Sequence, residues 1–127
     1  PLHLLIPIQI ELCHGGRKMN YDIHTYWSNE DERNEALNLK KILIDNQIQT
    51  FSMVDQPIGP HPLPMFEAHI SSQRLSEIQA LLVANRVNCS ILVHEKTGDH
   101  MYDHTKGARW LGKPLDLNLE FLRNFHG

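Results

Sequence analysis

The sequence predicts an α+β fold, a ferredoxin-like βαββαβ sandwich, and three observations carry the prediction. Segments of two-residue alternation and segments of helical spacing follow one another in the order strand, helix, strand, strand, helix, strand, the split βαβ arrangement. Within the main strands the alternation separates an apolar face from a more polar one. With 127 residues, 41% of them hydrophobic and 21% charged, the chain is long enough for one real core and too short for two.

The chain opens with Leu2, Leu4, Ile6, Ile8, Ile10 and Leu12 in alternation, an extra N-terminal strand that Gly15 and Gly16 would end. A domain beginning at Met19 would be complete without it, so residues 1–18 are read as an N-terminal extension and residues 19–127 as the domain. The stretch lacks a basic start and a small-residue cleavage site, and Pro7, Gln9 and Glu11 interrupt it, so it reads as neither signal peptide nor membrane span.

In residues 21–27, Ile23, Thr25 and Trp27 share one face while Asp22, His24 and Tyr26 share the other. Ser28 is the expected N-cap of a helix whose first turn holds Glu30, Asp31 and Glu32, favourable to the helix dipole. Ala36, Leu37, Leu39, Leu43 and Ile44 then give an amphipathic helix reaching Asn46. A second strand over 49–54 leads into a loop stiffened by Pro57, Pro60 and Pro62. The third strand, 64–70, sets Phe66, Ala68 and Ile70 against Met65, Glu67 and His69. Ser71 or Ser72 can cap a second helix with Leu75, Ile78, Leu82 and Val83 as its buried stripe. In the fourth strand, 88–94, Cys89, Ile91 and Val93 oppose Asn88, Ser90, Leu92 and His94. Residues 95–112 read as a long polar loop containing His100, His104 and Trp110; loops of this length are usually functional or disordered. The C-terminal tail closes with Leu115, Leu117, Leu119 and Phe121 in strand-like alternation, with a helix open for so short a run.

In this topology the first, third and fourth strands are neighbours. His24, His69 and His94 each fall on the less apolar face of one of them, so three imidazoles could converge on a single metal ion such as zinc, copper, iron or nickel. Both helices cover the apolar face, which leaves the histidine face to be closed by the tail or by a partner subunit. A net charge of −3 without a basic run argues against nucleic acid as a partner. Cys13 and Cys89, in unlike contexts, form no disulfide framework, and a reducing, cytoplasmic setting is the expectation.

Five local motifs stand together in order: Ile23-His24-Thr25-Tyr26, Gly59-Pro60-His61-Pro62, Phe66-Glu67-Ala68-His69, Val93-His94 followed by Thr97-Gly98-Asp99, and Asp103-His104-Thr105 with Trp110-Leu111-Gly112. From Tyr21 to Leu117 the chain resembles the DOPA 4,5-dioxygenase family. The resemblance implies a small ferredoxin-like homodimer that cleaves the ring of a catechol such as L-DOPA with O2 and non-haem Fe(II), zinc being a possible occupant of the site. On that reading His24, His69 and His94 are the metal ligands, and Glu67 or His61 could stand in for one of them. Ring cleavage also needs a base and an acid, for which His61 and His104, both in loops able to fold over the open face, are the candidates. Tyr26, on the histidine face, and Arg109, able to pair with a carboxylate, are the candidate substrate contacts. Two other readings compete: a non-catalytic dimer binding a metal or small molecule, and a zinc hydrolase. The loop histidines beside the metal set favour the oxygenase.

Overall fold

The computed structural model describes residues 20–124; the expected N-terminal strand lies outside them. The described elements are β1 (Asn20–Tyr26), α1 (Glu30–Asp45), β2 (Gln49–Thr50), β3 (Met65–Ser71), α2 (Leu75–Asn85), β4 (Ser90–Glu95), α3 (His100–Asp103), β5 (Ala108–Leu111) and α4 (Leu119–Arg123). The strands form one antiparallel sheet in the order β2-β3-β1-β4-β5, so the fold is the expected α+β sandwich with one strand more at its edge. Among the described residues no helix is long and apolar enough to cross a membrane.

The face assigned to the apolar set meets the helices. Ile23, Trp27, Phe66, Ala68, Ile70, Cys89, Ile91 and Val93 pack with Ala36, Leu39 and Leu43 of α1 and Ile78 and Leu82 of α2 in one buried cluster. It is the larger of the two buried apolar clusters among the described residues, and burial of this kind is the main favourable contribution to folding. The helix stripes are narrower than expected: Leu37, Ile44 and Val83 are exposed, because each lies at the margin of the arc that faces the sheet.

The cap of α1 is Asn29, not Ser28. Asn29 has extended backbone, and its side chain accepts from the Glu32 N–H at 2.9 Å, while the Glu32 carboxylate accepts from the Ser28 N–H and hydroxyl. β2 is shorter than expected, with Val54 rejoining β3 by a single bridge to Met65. The supposed loop 95–112 contains α3 and β5, and β5 extends the sheet by pairing with β4 from Ile91↔Leu111 to His94↔Ala108. The alternating leucines of the tail do not make a strand. Leu115 and Leu117 pack with Trp110 on Tyr26, Met65 and Leu92, and the chain then turns into α4, capped by the Asn118 side chain. The tail therefore covers the Tyr26 end of the histidine face.

Ile78→Ala should lower unfolding free energy by about 2–5 kcal/mol, through lost burial and the cavity left behind. Val83→Ala should stay within about 0.5 kcal/mol, as surface changes do. Urea titration of the two variants checks the pair.

Candidate metal centre

Residues directly opposite on antiparallel neighbours share a face, and β1 is paired on both edges. Asp22 faces His69 on β3 and His94 on β4, while His24, one pleat along, faces Glu67 and Leu92. His69 and His94 thus flank Asp22 from opposite sides, two interstrand spacings apart, or about 10 Å of sheet. The side chains of His24 and His94 close the diagonal between their rows: the two Nε2 atoms are 3.1 Å apart. Asp22 Oδ2 is 3.7 Å from His94 Nε2. His69 turns toward two carboxylates instead, its Nε2 lying 2.6 Å from Glu67 Oε2 and 3.1 Å from Asp22 Oδ1.

The donor atoms consequently fall into two groups that share Asp22. One is Asp22, His24 and His94; the other is Asp22, Glu67 and His69; in each the atoms lie within 4.8 Å of one another. The three histidines expected to converge do not form one set. His24 and His94 come together, with a carboxylate as third member, because the register puts Asp22 between His69 and His94.

The first group fits a divalent metal ion. His94 Nδ1 donates to the Glu95 carbonyl at 2.7 Å, so its Nε2 lone pair is the one that faces His24. His24 Nδ1 is buried without a hydrogen-bond partner among the described residues. Two facing imidazole nitrogens leave room for one proton, and a cation satisfies both. Two histidines and one carboxylate are the donor set of non-haem ferrous oxygenases.

A cavity of about 350 Å³ opens beside this group. Pro60, Phe121 and Leu122 give it apolar wall, and His61 and His104 line it as well. His61 is buried between its prolines, its ring 4.2 Å from that of His24 and its Nδ1 2.7 Å from the Tyr26 hydroxyl. His104 follows α3, its ring 4.3 Å from that of His94, and its Nδ1 donates to the His100 carbonyl at 2.7 Å. Buried Asp103 holds this turn in place by accepting from the Thr97 N–H and hydroxyl at 3.0 and 2.7 Å. Burial drives the four histidines toward the neutral, ligating form: His24 well below its ordinary value, with the other imidazoles adding to the effect, His61 down to about 4, and His94 and His104 down as well. Burial and the neighbouring Glu67 carboxylate raise Asp22 to about 6.

Two expected substrate contacts are placed otherwise. The Tyr26 hydroxyl is engaged by His61, and its ring packs 5.8 Å from that of Trp110 under the tail, behind the cavity wall. Arg109 pairs with Val93, which belongs to the helix-side core, so it lies on the sheet face away from the histidines. Lys96, just past the end of β4, lines the cavity with its ammonium 3.7 Å from Asp22 Oδ1. Sequence reasoning passed over Asp22 and Lys96, although parity had already put Asp22 on the face of His24.

The profile described as the Dopa 4,5-dioxygenase family matches residues 21–121. A DOPA 4,5-dioxygenase of Amanita muscaria is 27% identical over 110 residues, covering 81% of this chain and 48% of that protein. An uncharacterized 21.2 kDa protein of Botryotinia fuckeliana is 30% identical over 121 residues, covering 86% of this chain and 66% of that one. The chain thus spans about half the length of the first relative and about two thirds of the second. A crystal structure of a candidate dioxygenase from Nostoc punctiforme superimposes with a TM-score of 0.78 at 34% identity, over 83% of this chain and 91% of that one.

His24→Ala, His94→Ala and Asp22→Asn should each weaken ferrous or zinc binding at least tenfold, and His69→Ala should weaken it less. Equilibrium dialysis with elemental analysis checks this order. Without metal, Asp22→Asn should be no less stable than the parent at pH 7.5. A carboxyl whose pKa rises from 3.8 to about 6 on folding opposes folding in full above pH 6, progressively less as pH falls from 6, and not at all below 3.8. The gain from Asp22→Asn should therefore be smaller at pH 5 than at pH 7.5. Thermal melts of the two metal-free proteins at pH 7.5 and 5 measure the difference.

Proposed function

This chain belongs to the Dopa 4,5-dioxygenase family, and from that premise we propose that it is an oxygenase cleaving the ring of a catechol such as L-DOPA by extradiol chemistry with O2 and Fe(II). One observation carries the reading: a buried group of two histidines and one carboxylate faces a cavity onto which two further neutral histidines look. His24, His94 and Asp22 would hold the iron, with His69 joined to them through Asp22. Bound ferrous iron would supply a Lewis acid for the catechol oxygens and a redox-active centre through which electrons of the catecholate reach O2.

The chain's own residues account for the rest. A cavity of about 350 Å³ suits a ring the size of a catechol. Phe121, Leu122 and Pro60 supply apolar surface on which the ring can lie. His61 and His104 stand beside His24 and His94, within reach of a catechol hydroxyl at the metal. Lys96, in place of Arg109, offers a cation to a substrate carboxylate. A homodimer is also part of the proposal: Phe51, packed on His69, and Ile58 are exposed large apolar side chains in the region of the open face. A sedimentation velocity run showing only monomer at micromolar concentration would remove that part.

The test is reconstitution with ferrous iron without oxygen, followed by L-DOPA and air. Expected are O2 uptake equal to catechol consumed and a yellow ring-opened product, both abolished by His94→Ala. Iron-loaded protein that consumes no O2 with any of several catechols would overturn the reading. Exclusive zinc retention, with hydrolysis of an ester probe, would move it to the hydrolase.

A further inference from the structure

We propose that the two loop histidines present opposite tautomers to the cavity, so that His104 is the proton acceptor for the catechol and His61 a fixed hydrogen-bond donor, with Tyr26 the positioning residue that sets His61. The assignment of roles rests on the oxygenase reading; the tautomers rest on geometry alone.

His104 Nδ1 lies 2.7 Å from the His100 carbonyl oxygen, which can only accept. The proton of the neutral ring is therefore on Nδ1, and Nε2 carries the free lone pair. His61 faces the opposite constraint. Its Nδ1 lies 2.7 Å from the Tyr26 hydroxyl, and Tyr26 is 1% exposed. Among the described residues this is the one hydrogen bond the structure gives that hydroxyl. If His61 donated from Nδ1, the phenolic proton would be buried without an acceptor, at a cost of about 1–3 kcal/mol. The hydroxyl therefore donates to Nδ1, and the His61 proton sits on Nε2, on a ring that lines the cavity.

The proton balance follows. A catechol hydroxyl gives its proton to His104 Nε2, and the resulting imidazolium is held by its Nδ1–H bond to the His100 carbonyl. The same proton returns from His104 Nε2 when the ring-opened product is protonated, so the histidine ends as it began. His61 transfers none. Loss of its Nε2 proton would leave an imidazolate, or a tyrosinate once the Tyr26 proton moved to Nδ1. It donates a hydrogen bond to the oxygen on which negative charge develops.

Two-bond proton–nitrogen correlation spectra of the diamagnetic zinc-loaded protein separate protonated from unprotonated ring nitrogens. Expected are a proton on Nε2 of His61 and on Nδ1 of His104, and in Tyr26→Phe a mixed signature for His61 with His104 unchanged. A parent His61 protonated on Nδ1 overturns the proposal whether or not any catechol is cleaved. A second measurement tests the roles without turnover, using 4-nitrocatechol and oxygen-free, iron-loaded protein. The ionised fraction, read from visible absorbance at fixed pH, should drop several-fold in His104→Ala, which loses the proton acceptor, and by less in His61→Ala, which loses one hydrogen bond to the anion. Equal ionisation in the parent and His104→Ala would overturn the acceptor assignment.

Discussion

Side chains opposite one another on antiparallel strands stand on the same face, and β1 is hydrogen-bonded along both edges, so one residue of β1 meets two neighbours at once. At Asp22 those neighbours are His69 and His94, and the entire site depends on that register. A slip by one residue would send Asp22, His24 and Tyr26 into the helix-packed core and bring Ile23 and Thr25 out. The register is held from the other face, where Ile23, Phe66, Ala68, Ile91 and Val93 have no alternative place to be buried. The apolar layer and the candidate metal-binding layer are two sides of one constraint.

The histidine face is costly to assemble. His24, His94 and Asp103 are buried, and His24 Nδ1 has no partner among the described residues. Neutral imidazole keeps that cost tolerable, since an uncharged ring loses far less on burial than a cation. Asp22 is strained in another sense, its carboxyl pushed up by burial and by Glu67. A divalent cation relieves the facing imidazoles and this carboxylate together, which is why a site unfavourable to the fold suits metal capture.

Loops then differentiate groups that are chemically alike. His61 and His104 are both imidazoles lining one cavity, but one abuts a buried phenol and the other a helix-end carbonyl. A hydroxyl can donate and a carbonyl cannot, and that difference assigns the protons. The tail that packs Leu115 and Leu117 on Tyr26 keeps the phenol dry and so belongs to the site without touching the metal group.

Alternation in 21–27, 64–70 and 88–94 and the spacing of Ala36, Leu39, Leu43, Ile78 and Leu82 determined the sheet faces, the helices and the side on which the histidines stand, because these are local periodicities of the backbone. Helix ends and margins were less legible: Ser28 and Asn29 are both good caps, and the exposure of Ile44 and Val83 depends on how far each helix is rotated on the sheet. The partition of His24 and His94 from His69, the part played by Asp22, the turning away of Arg109 and the pairing of Tyr26 with His61 were decided only by tertiary structure. Each depends on which residue of one strand or loop lies opposite which residue of another, and cross-strand register leaves no trace in the period of either strand alone.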